Sequence, residues 1–237
     1  MPADISMAGR AAPPRPFSAF WGSFSQNRGA VGGLIVLVLI VLLAIFAELI
    51  APYSAIEQFR AFSKLPPAWA EGGNWAFPLG TDALGRDMLS RLIFGARISL
   101  FIGIAVMVVS VIAGVALGLV AAFFGGFVDS LIMRIMDLIL SIPSLVLAIL
   151  VVSILGPSLP NTIVAVSVVY LPNYVRLVRA SALGEFSKDY VIAAKVAGVG
   201  PLRLMCVTVL PNCLAPLIVQ AALGVSNAIL EAAALGF

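Results

Sequence analysis

Few side chains in this 237-residue protein are suited to chemistry. There is no histidine, so a histidine acid–base pair, metal site or pH switch is excluded. Cys206 and Cys213 match no zinc or redox spacing, which indicates small apolar filler. The sequence also lacks the GxxxxGK[ST] phosphate-binding pattern. We therefore expect no catalytic residue, no metal site and no nucleotide site in this chain.

The polar residues concentrate in one stretch, residues 185–211, between two strongly apolar runs. Its charged members are Glu185, Lys188, Asp189, Lys195 and Arg203. Its small members, which leave room for close contact, are Ala193, Ala194, Ala197, Gly198 and Gly200. This pattern predicts a cytoplasmic docking loop that works a gate formed by the surrounding helices. The alternative from composition is an ordinary solvated connection.

The elements that must position this stretch are membrane spans. The chain is 62% hydrophobic and 11% charged, whereas a soluble domain carries about 25% charged residues. We therefore expect an all-α integral membrane protein in the lipid bilayer. The net charge of +3 is too small to indicate a nucleic acid partner. The predicted spans are 31–50, 98–124, 131–155, 162–179 and 213–235.

Orientation rests on Arg28, which precedes the first span and favours a cytoplasmic N-terminus. Residues 1–30 are then a cytoplasmic arm, in which aromatic residues between Phe17 and Phe24 predict a short helix on the membrane face. Residues 51–97 become an extracytoplasmic loop. Basic residues are equally frequent in that loop and near residues 176–203, so the charge rule alone does not decide the orientation.

A charged block ends the long loop. Asp82 is a candidate helix cap and Gly85 fits a tight turn. Asp87 and Arg91 are four residues apart and can pair on one helical face, close to Arg86. Two interpretations stay open: a charged helix entrance at the membrane interface, or a surface formed by Asp82, Arg86 and Arg91 that faces an external partner.

Small and kinking residues mark the spans. Gly114 and Gly118 have the spacing that lets two helix backbones approach closely. Pro143 is expected to kink the third span and Pro172 to interrupt the fourth. Arg134 and Asp137 can neutralise each other at the membrane edge.

Polar residues of the last span share one helical face: Gln220, Asn227 and Glu231. A carboxylate in a membrane helix usually faces a cavity or a partner. Asn227 and Glu231 are therefore candidates for a translocation path, and the alternative is that Glu231 has reached the outer interface.

The stretch 185–211 resembles the cytoplasmic loop of permease subunits in binding-protein-dependent ABC importers. That loop reads EAA, three residues, Gly, nine residues, Ile, one residue, Leu-Pro. Ala193-Ala194, Gly198 and Leu210-Pro211 match it, whereas Ile192 replaces the Glu and Thr208 replaces the Ile. Tyr190-Val191 before the alanines is similar to the dipeptide and oligopeptide branch.

The resemblance extends over nearly the whole chain, from about Phe17 to Phe237. Stretches similar to C-type permeases of that branch are GTDALGRDMLSRLIFGARISL (80–100), GGFVD (125–129), MRIMD (133–137) and LPNCLAPLIVQAALGVSNAIL (210–230). It implies the type I ABC importer permease fold, with residues 98–237 as an incomplete transmembrane domain. It also implies a sixth span after LGF, so we expect this chain to be truncated.

The resemblance further implies the partners. A second, homologous permease subunit would complete a heterodimer in the bacterial cytoplasmic (inner) membrane. Two ABC ATPase subunits, which carry ATP and Mg²⁺, would bind below, and a periplasmic peptide-binding protein would deliver dipeptides or oligopeptides. Nickel complexes or haem are alternative substrates. An ion-coupled secondary transporter is the competing class, but no internal repeat is evident and Glu231 is its one plausible coupling acid.

The implied coupling loop assigns roles to six residues. Tyr190, Ala193, Ala194, Gly198, Leu210 and Pro211 are the expected ATPase-coupling residues. Tyr190, Ala194 and Ala197 would insert into the ATPase from one helical face.

Overall fold

The computed structural model describes residues 16–236, in which the regular elements are helices and the segment between Ile50 and Met88 is mostly turns. The helices are α1 Pro16–Gln26, α2 Arg28–Ile45, α3 Ala47–Ile50, α4 Met88–Phe124, α5 Gly126–Leu140, α6 Ser144–Leu155, α7 Leu159–Phe186, α8 Asp189–Val196, α9 Pro201–Arg203 and α10 Leu210–Ala234. A 3₁₀ turn covers Arg60–Phe62, and a π-helical segment covers Leu204–Val209. The predicted all-α class is confirmed.

Four helical stretches are long and apolar enough to cross a membrane: α2, α4, α7 and the continuous run Pro201–Ala234. The bent pair of α5 and α6 makes a fifth span if it is counted as one. Of the predicted arm, residues 1–15 lie outside the described residues, and α1 occupies the position of the predicted aromatic helix.

Two prolines were expected to disturb their spans, Pro143 and Pro172, and only Pro143 does so. Pro143 does more than kink a span: α5 ends at Leu140, α6 begins at Ser144, and the two are bent by 96°. Proline lacks an N–H and disfavours helix in the preceding residue. Pro172 does not interrupt α7, which is continuous around it. Pro172 is fully buried, so neighbouring helices hold α7 on one path despite the missing backbone hydrogen bond.

The described chain forms two compact units, one up to Arg97 and one from Ile98 onward. In the first unit, a cluster of aromatic rings organises the segment between α3 and α4. Its members are Tyr53, Phe59, Phe62 and Phe77, with ring centroids 4.9–5.6 Å apart. Within this unit, Arg97 ties the first turns of α4 to α2 and α3, because its Nε donates to the Ala44 carbonyl at 2.9 Å and its Nη1 pairs with Glu48 at 3.1 Å.

The second unit is built around α7, which contacts α5, α6 and α10. Gly114 and Gly118 let α4 approach it closely, as predicted. A Cβ on Gly114 would lie 2.4 Å from Tyr174 Cβ, and one on Gly118 would lie 2.8 Å from the Val175 carbonyl oxygen. On the other side, a Cβ on Gly224 of α10 would lie 2.0 Å from the Tyr174 hydroxyl. These glycines allow three spans to pack around one buried tyrosine.

Candidate functional site

The connection between α7 and α10, residues 187–209, is the candidate site. The long helix α7 ends at Phe186, and the eight-residue helix α8 follows almost at once. Gly198 has a φ of +80°, a left-handed conformation that suits glycine, and reverses the chain after α8. Pro201 then starts a new helical run, in which its missing N–H costs nothing at the first position.

A set of polar side chains holds α8 in place. Lys188 Nζ donates to Glu185 Oε1 at 2.6 Å, and the Tyr190 hydroxyl donates to Glu185 Oε2. Asn212 Nδ2, in the first turn of α10, donates to the Tyr190 hydroxyl at 3.0 Å. The charges of Glu185 and Lys188 are therefore paired within the chain.

The two sides of α8 differ in exposure. Val191 is 2% exposed and packs with Leu204 and Met205 in the core of the second unit. Ala194 is partly buried against this core, whereas Tyr190 and Ala197 are exposed, and the insertion of these three residues into a partner stays a prediction. Because α8 turns about 100° per residue, burying Val191 also turns Ala194 inward.

The outward side is apolar. Val196 is 83% exposed, Leu202 is 73% exposed, and Ile192 is half exposed. Ala193, Ala197 and Gly198 are exposed between them. Exposed apolar residues grouped on one surface are typical of interaction sites. The exposed side of α8, formed by Ile192, Ala193, Val196 and Ala197, together with the exposed Leu202 of α9, is called the outer surface of α8 below.

A cavity of about 290 Å³ lies behind α8. Its lining residues are Ala122, Phe123, Phe186, Val191, Ile192, Lys195 and Leu204.

The last two residues of the predicted loop motif differ in burial: Leu210 lies against the core, and Pro211 is exposed.

The candidate path residues lie elsewhere, on α10. Asn227 is exposed, and Glu231 is partly buried. Glu231 carries a buried carboxylate oxygen that accepts no hydrogen bond from residues 16–236. Gln220 is also partly buried. The structure thus leaves Asn227 and Glu231 outside the α8 site.

The charged block before α4 forms a closed arrangement. Asp82 Oδ1 accepts the backbone N–H groups of Leu84 and Arg86, at 2.8 and 2.9 Å. Its Oδ2 binds Arg86 Nε at 2.7 Å and also binds Arg91. Burial alone would raise the pKa of Asp82, but the hydrogen bonds from Arg86 and Leu84 outweigh it and lower the pKa to about 2.

Two predictions about this block are wrong: the residue that caps α4 and the partner of Arg91. Asp87, rather than Asp82, caps α4: its Oδ2 accepts the Ser90 N–H at 2.8 Å and the Ser90 hydroxyl at 2.6 Å. Arg91 pairs with Asp82, not with Asp87, because Asp87 is turned into the interior at 1% exposure. Gly85 does form a tight turn, with a φ of +74°.

The charges of α5 are also paired differently from the expectation. Asp137 binds Arg176 and not Arg134, and Asp129 binds Arg179. These pairs join α5 to α7 across more than thirty residues of sequence. A helix-spacing argument cannot find them, because it considers only neighbours on one helix.

Sequence reasoning missed Asn212, Val196 and Leu202. Asn212 follows the Leu-Pro end of the loop motif, where nothing in the sequence indicates that it reaches α8. Val196 and Leu202 carried no distinguishing signal, since the same stretch contains other large apolar residues, such as Val191 and Leu204, that are buried.

Two family models match this chain. The model described as "Binding-protein-dependent transport system inner membrane component" matches residues 114–237. The model described as "N-terminal TM domain of oligopeptide transport permease C" matches residues 15–67. The chain belongs to the binding-protein-dependent transport system inner membrane component family. It is therefore a transport permease subunit and not an enzyme, and the α8 site lies within the region that the family model matches.

Similar curated members of the family support this assignment. The chain is 57% identical to the "Di/tripeptide transport system permease protein DppC" of Pseudomonas aeruginosa, over 94% of this chain and 74% of the relative. It is 54% identical to the "Dipeptide transport system permease protein DppC" of Haemophilus influenzae, over 95% and 77%. It is 56% identical to the protein of that name in Escherichia coli K12, over 95% and 75%.

Proposed function

We propose that this chain forms half of the path by which an ATP-binding-cassette importer moves dipeptides and oligopeptides across the bacterial inner membrane. The observation that carries the proposal is the identity of 54–57% with relatives named as di- and tripeptide or dipeptide permeases. Identity at this level extends over 94–95% of the chain. Nickel complexes and haem are the alternatives to test.

The outer surface of α8 is the part we assign to the ATPase. Val196 and Leu202 expose apolar side chains, and Ala193 and Gly198 beside them allow a close approach. Apolar residues at the centre of a protein interface contribute most when they are fully desolvated. Tyr190, Leu210 and Pro211 belong to the same coupling loop, residues 185–211; Leu210 packs on the core, whereas Tyr190 and Pro211 are exposed. ATP and Mg²⁺ bind to the ATPase subunits in this proposal.

The remaining assignments follow from this arrangement. A second, homologous permease subunit completes a heterodimer, and two ATPase subunits sit on the cytoplasmic side with the N-terminus and α8. The segment 51–87 and the first turn of α4 then lie in the periplasm, where Asp82, Arg86 and Arg91 form the surface that meets the binding protein. Asn227 and Glu231 border the path, a role supported by the unsatisfied carboxylate oxygen of Glu231.

The test is uptake by proteoliposomes that contain the complete transporter. Labelled di-, tri- and pentapeptides, a nickel chelate and haem are offered with and without binding protein and ATP. We expect dipeptide uptake that needs both additions. Uptake of nickel or haem with no peptide uptake would reject the proposed substrate class, and peptide uptake without ATP would reject the importer mechanism.

A further inference from the structure

A chain of hydrogen bonds crosses the candidate site from one membrane helix to another. It begins at Glu185, near the end of α7, and passes through the Tyr190 hydroxyl on α8. It continues through Asn212 Nδ2, 3.0 Å from that hydroxyl, to the Thr208 carbonyl oxygen, 2.9 Å from the same nitrogen. The Tyr190 hydroxyl both donates and accepts, so it is the central member.

The Asn212 end of the chain lies where the helical backbone is irregular. Residues Leu204–Val209 are π-helical, and π-helical turns often mark functional positions. Pro211 supplies no N–H to the backbone ladder. The Asn212 side chain adds a donor one residue later, and the same amide reaches α8.

The position of α8 depends on such contacts. A helix of eight residues is too short to be stable by itself. Val191 and Ala194 anchor its inner side by apolar packing, which permits sliding. The Tyr190 bonds are directional, and they fix α8 against α7 and α10.

We propose that Glu185, Tyr190 and Asn212 form a latch that transmits the movement of α8 to α7 and α10. In this role Tyr190 is a positioning residue that acts through Asn212 and Glu185, rather than a residue that touches the ATPase. This inference rests on the proposed function, because that function makes α8 the helix that the ATPase moves. It goes further by naming the residues that transmit that movement.

The protonation of Tyr190 suits this role. The hydrogen bond to Glu185 raises the pKa of Tyr190 to about 12. The hydroxyl therefore keeps its proton at every pH at which a cell grows, and it remains able to donate to the Glu185 carboxylate while accepting from Asn212.

The test compares Tyr190→Phe and Asn212→Leu with the double variant in the complete, reconstituted transporter. Each single change removes the Tyr190–Asn212 bond and leaves a side chain of similar size. Ser187→Ala is the matched control, because Ser187 is exposed in the same connection and bonds only locally, to the Gly184 carbonyl. Three quantities are measured: ATPase subunits that co-purify, peptide imported per ATP hydrolysed, and hydrogen exchange of the α8 amides.

We expect both single variants to keep their ATPase subunits and to hydrolyse ATP. Peptide imported per ATP should fall about two- to tenfold, the range that one net hydrogen bond corresponds to. The α8 amides should exchange faster than in the wild type and in Ser187→Ala. The loss in the double variant should be smaller than the sum of the two single losses, because both changes break the Tyr190–Asn212 bond, although Tyr190→Phe also removes the bond to Glu185 and Asn212→Leu the bond to Thr208.

Other outcomes overturn the latch. Loss of ATPase subunits in Tyr190→Phe alone would make Tyr190 a docking contact. Additive losses in the double variant would give the two residues independent roles. Unchanged import per ATP or unchanged α8 exchange would remove the mechanical role. A wild type that imports no peptide rejects the proposed function instead, and the exchange comparison still tests whether the latch holds α8.

Discussion

The segment 51–87 and the α7–α10 connection are both polar interruptions between apolar helices, but they use their polar groups differently. In segment 51–87, Asp82 takes four hydrogen bonds from its own neighbourhood, and the aromatic cluster around Phe77 fills the interior. In the connection, the polar groups fix α8 from behind and leave apolar Val196 and Leu202 exposed. Segment 51–87 also exposes Ile56, Trp69 and Trp75, so the two regions differ in how their polar groups are paired and not in whether apolar side chains are exposed.

Glycine substitutions give the largest expected contrast between these two regions. Gly80 has a φ of +77°, and an added Cβ would lie 2.3 Å from the Leu65 carbonyl oxygen. Gly198 has a φ of +80° but nothing within 4 Å of an added Cβ. Gly80→Ala should therefore destabilise segment 51–87 by about 3 kcal/mol or more, from strain and collision together, whereas Gly198→Ala should cost about 1–2 kcal/mol from strain alone.

Heat-induced unfolding in detergent, followed by limited proteolysis, measures this difference. Gly198→Ala is the matched control for backbone strain. Equal loss of stability in the two variants would show that the atoms around Gly80 move and relieve the collision. The predicted difference between crowded Gly80 and uncrowded Gly198 would then be wrong.

A charge on the outer surface of α8 should have the next largest effect. Val196→Asp changes an 83% exposed side chain, so the fold should persist. A carboxylate at the centre of an interface lacks a partner when it is desolvated, and we expect ATPase association to weaken about tenfold or more. The measurement is co-purification of the ATPase subunits over a range of their concentrations.

Leu84→Asp is the control from the other region, since Leu84 is 51% exposed in segment 51–87. It should leave ATPase association at the wild-type level. Equal weakening by both substitutions would mean that the assay reports general damage, and no weakening by Val196→Asp would remove the ATPase from this surface.

The smallest expected effect concerns the charge of Asp82. Asp82→Asn keeps an oxygen for the Leu84 and Arg86 N–H groups but cannot accept from both arginines, so we expect a loss of about 1 kcal/mol at neutral pH. The folded-state pKa of Asp82 is lowered from 3.8 to about 2. Its contribution is therefore fully present above pH 3.8 and lost as the pH falls through about 2.

The measurement is proteolytic resistance of segment 51–87 in both proteins between pH 2 and pH 7. The wild type should be more resistant above pH 3.8, and the difference should vanish near pH 2. A difference that stays constant over this range would assign the effect to side-chain shape and not to the Asp82 charge.

Much of this protein follows from the sequence alone. A chain with 62% hydrophobic residues must shield its backbone polar groups in lipid, so its class is helical, and the spacing of Gly114 and Gly118 does mark a close helix contact. The loop motif around Ala193-Ala194 and Gly198 correctly indicated the family. These features are local, because length, periodicity and residue size along one helix determine them.

Tertiary structure decided what local patterns could not. Pro143 breaks a helix while Pro172 lies inside a continuous one, since Pro172 is buried where neighbouring helices pack on α7. Asp137 binds Arg176 instead of Arg134, and Asn212 reaches Tyr190, because residues far apart in the chain meet when the helices pack. The sequence alone thus determined which stretches form spans and which family they build. Packing alone decided which side of α8 stays exposed, because the burial of Val191 fixes the rotation of that helix.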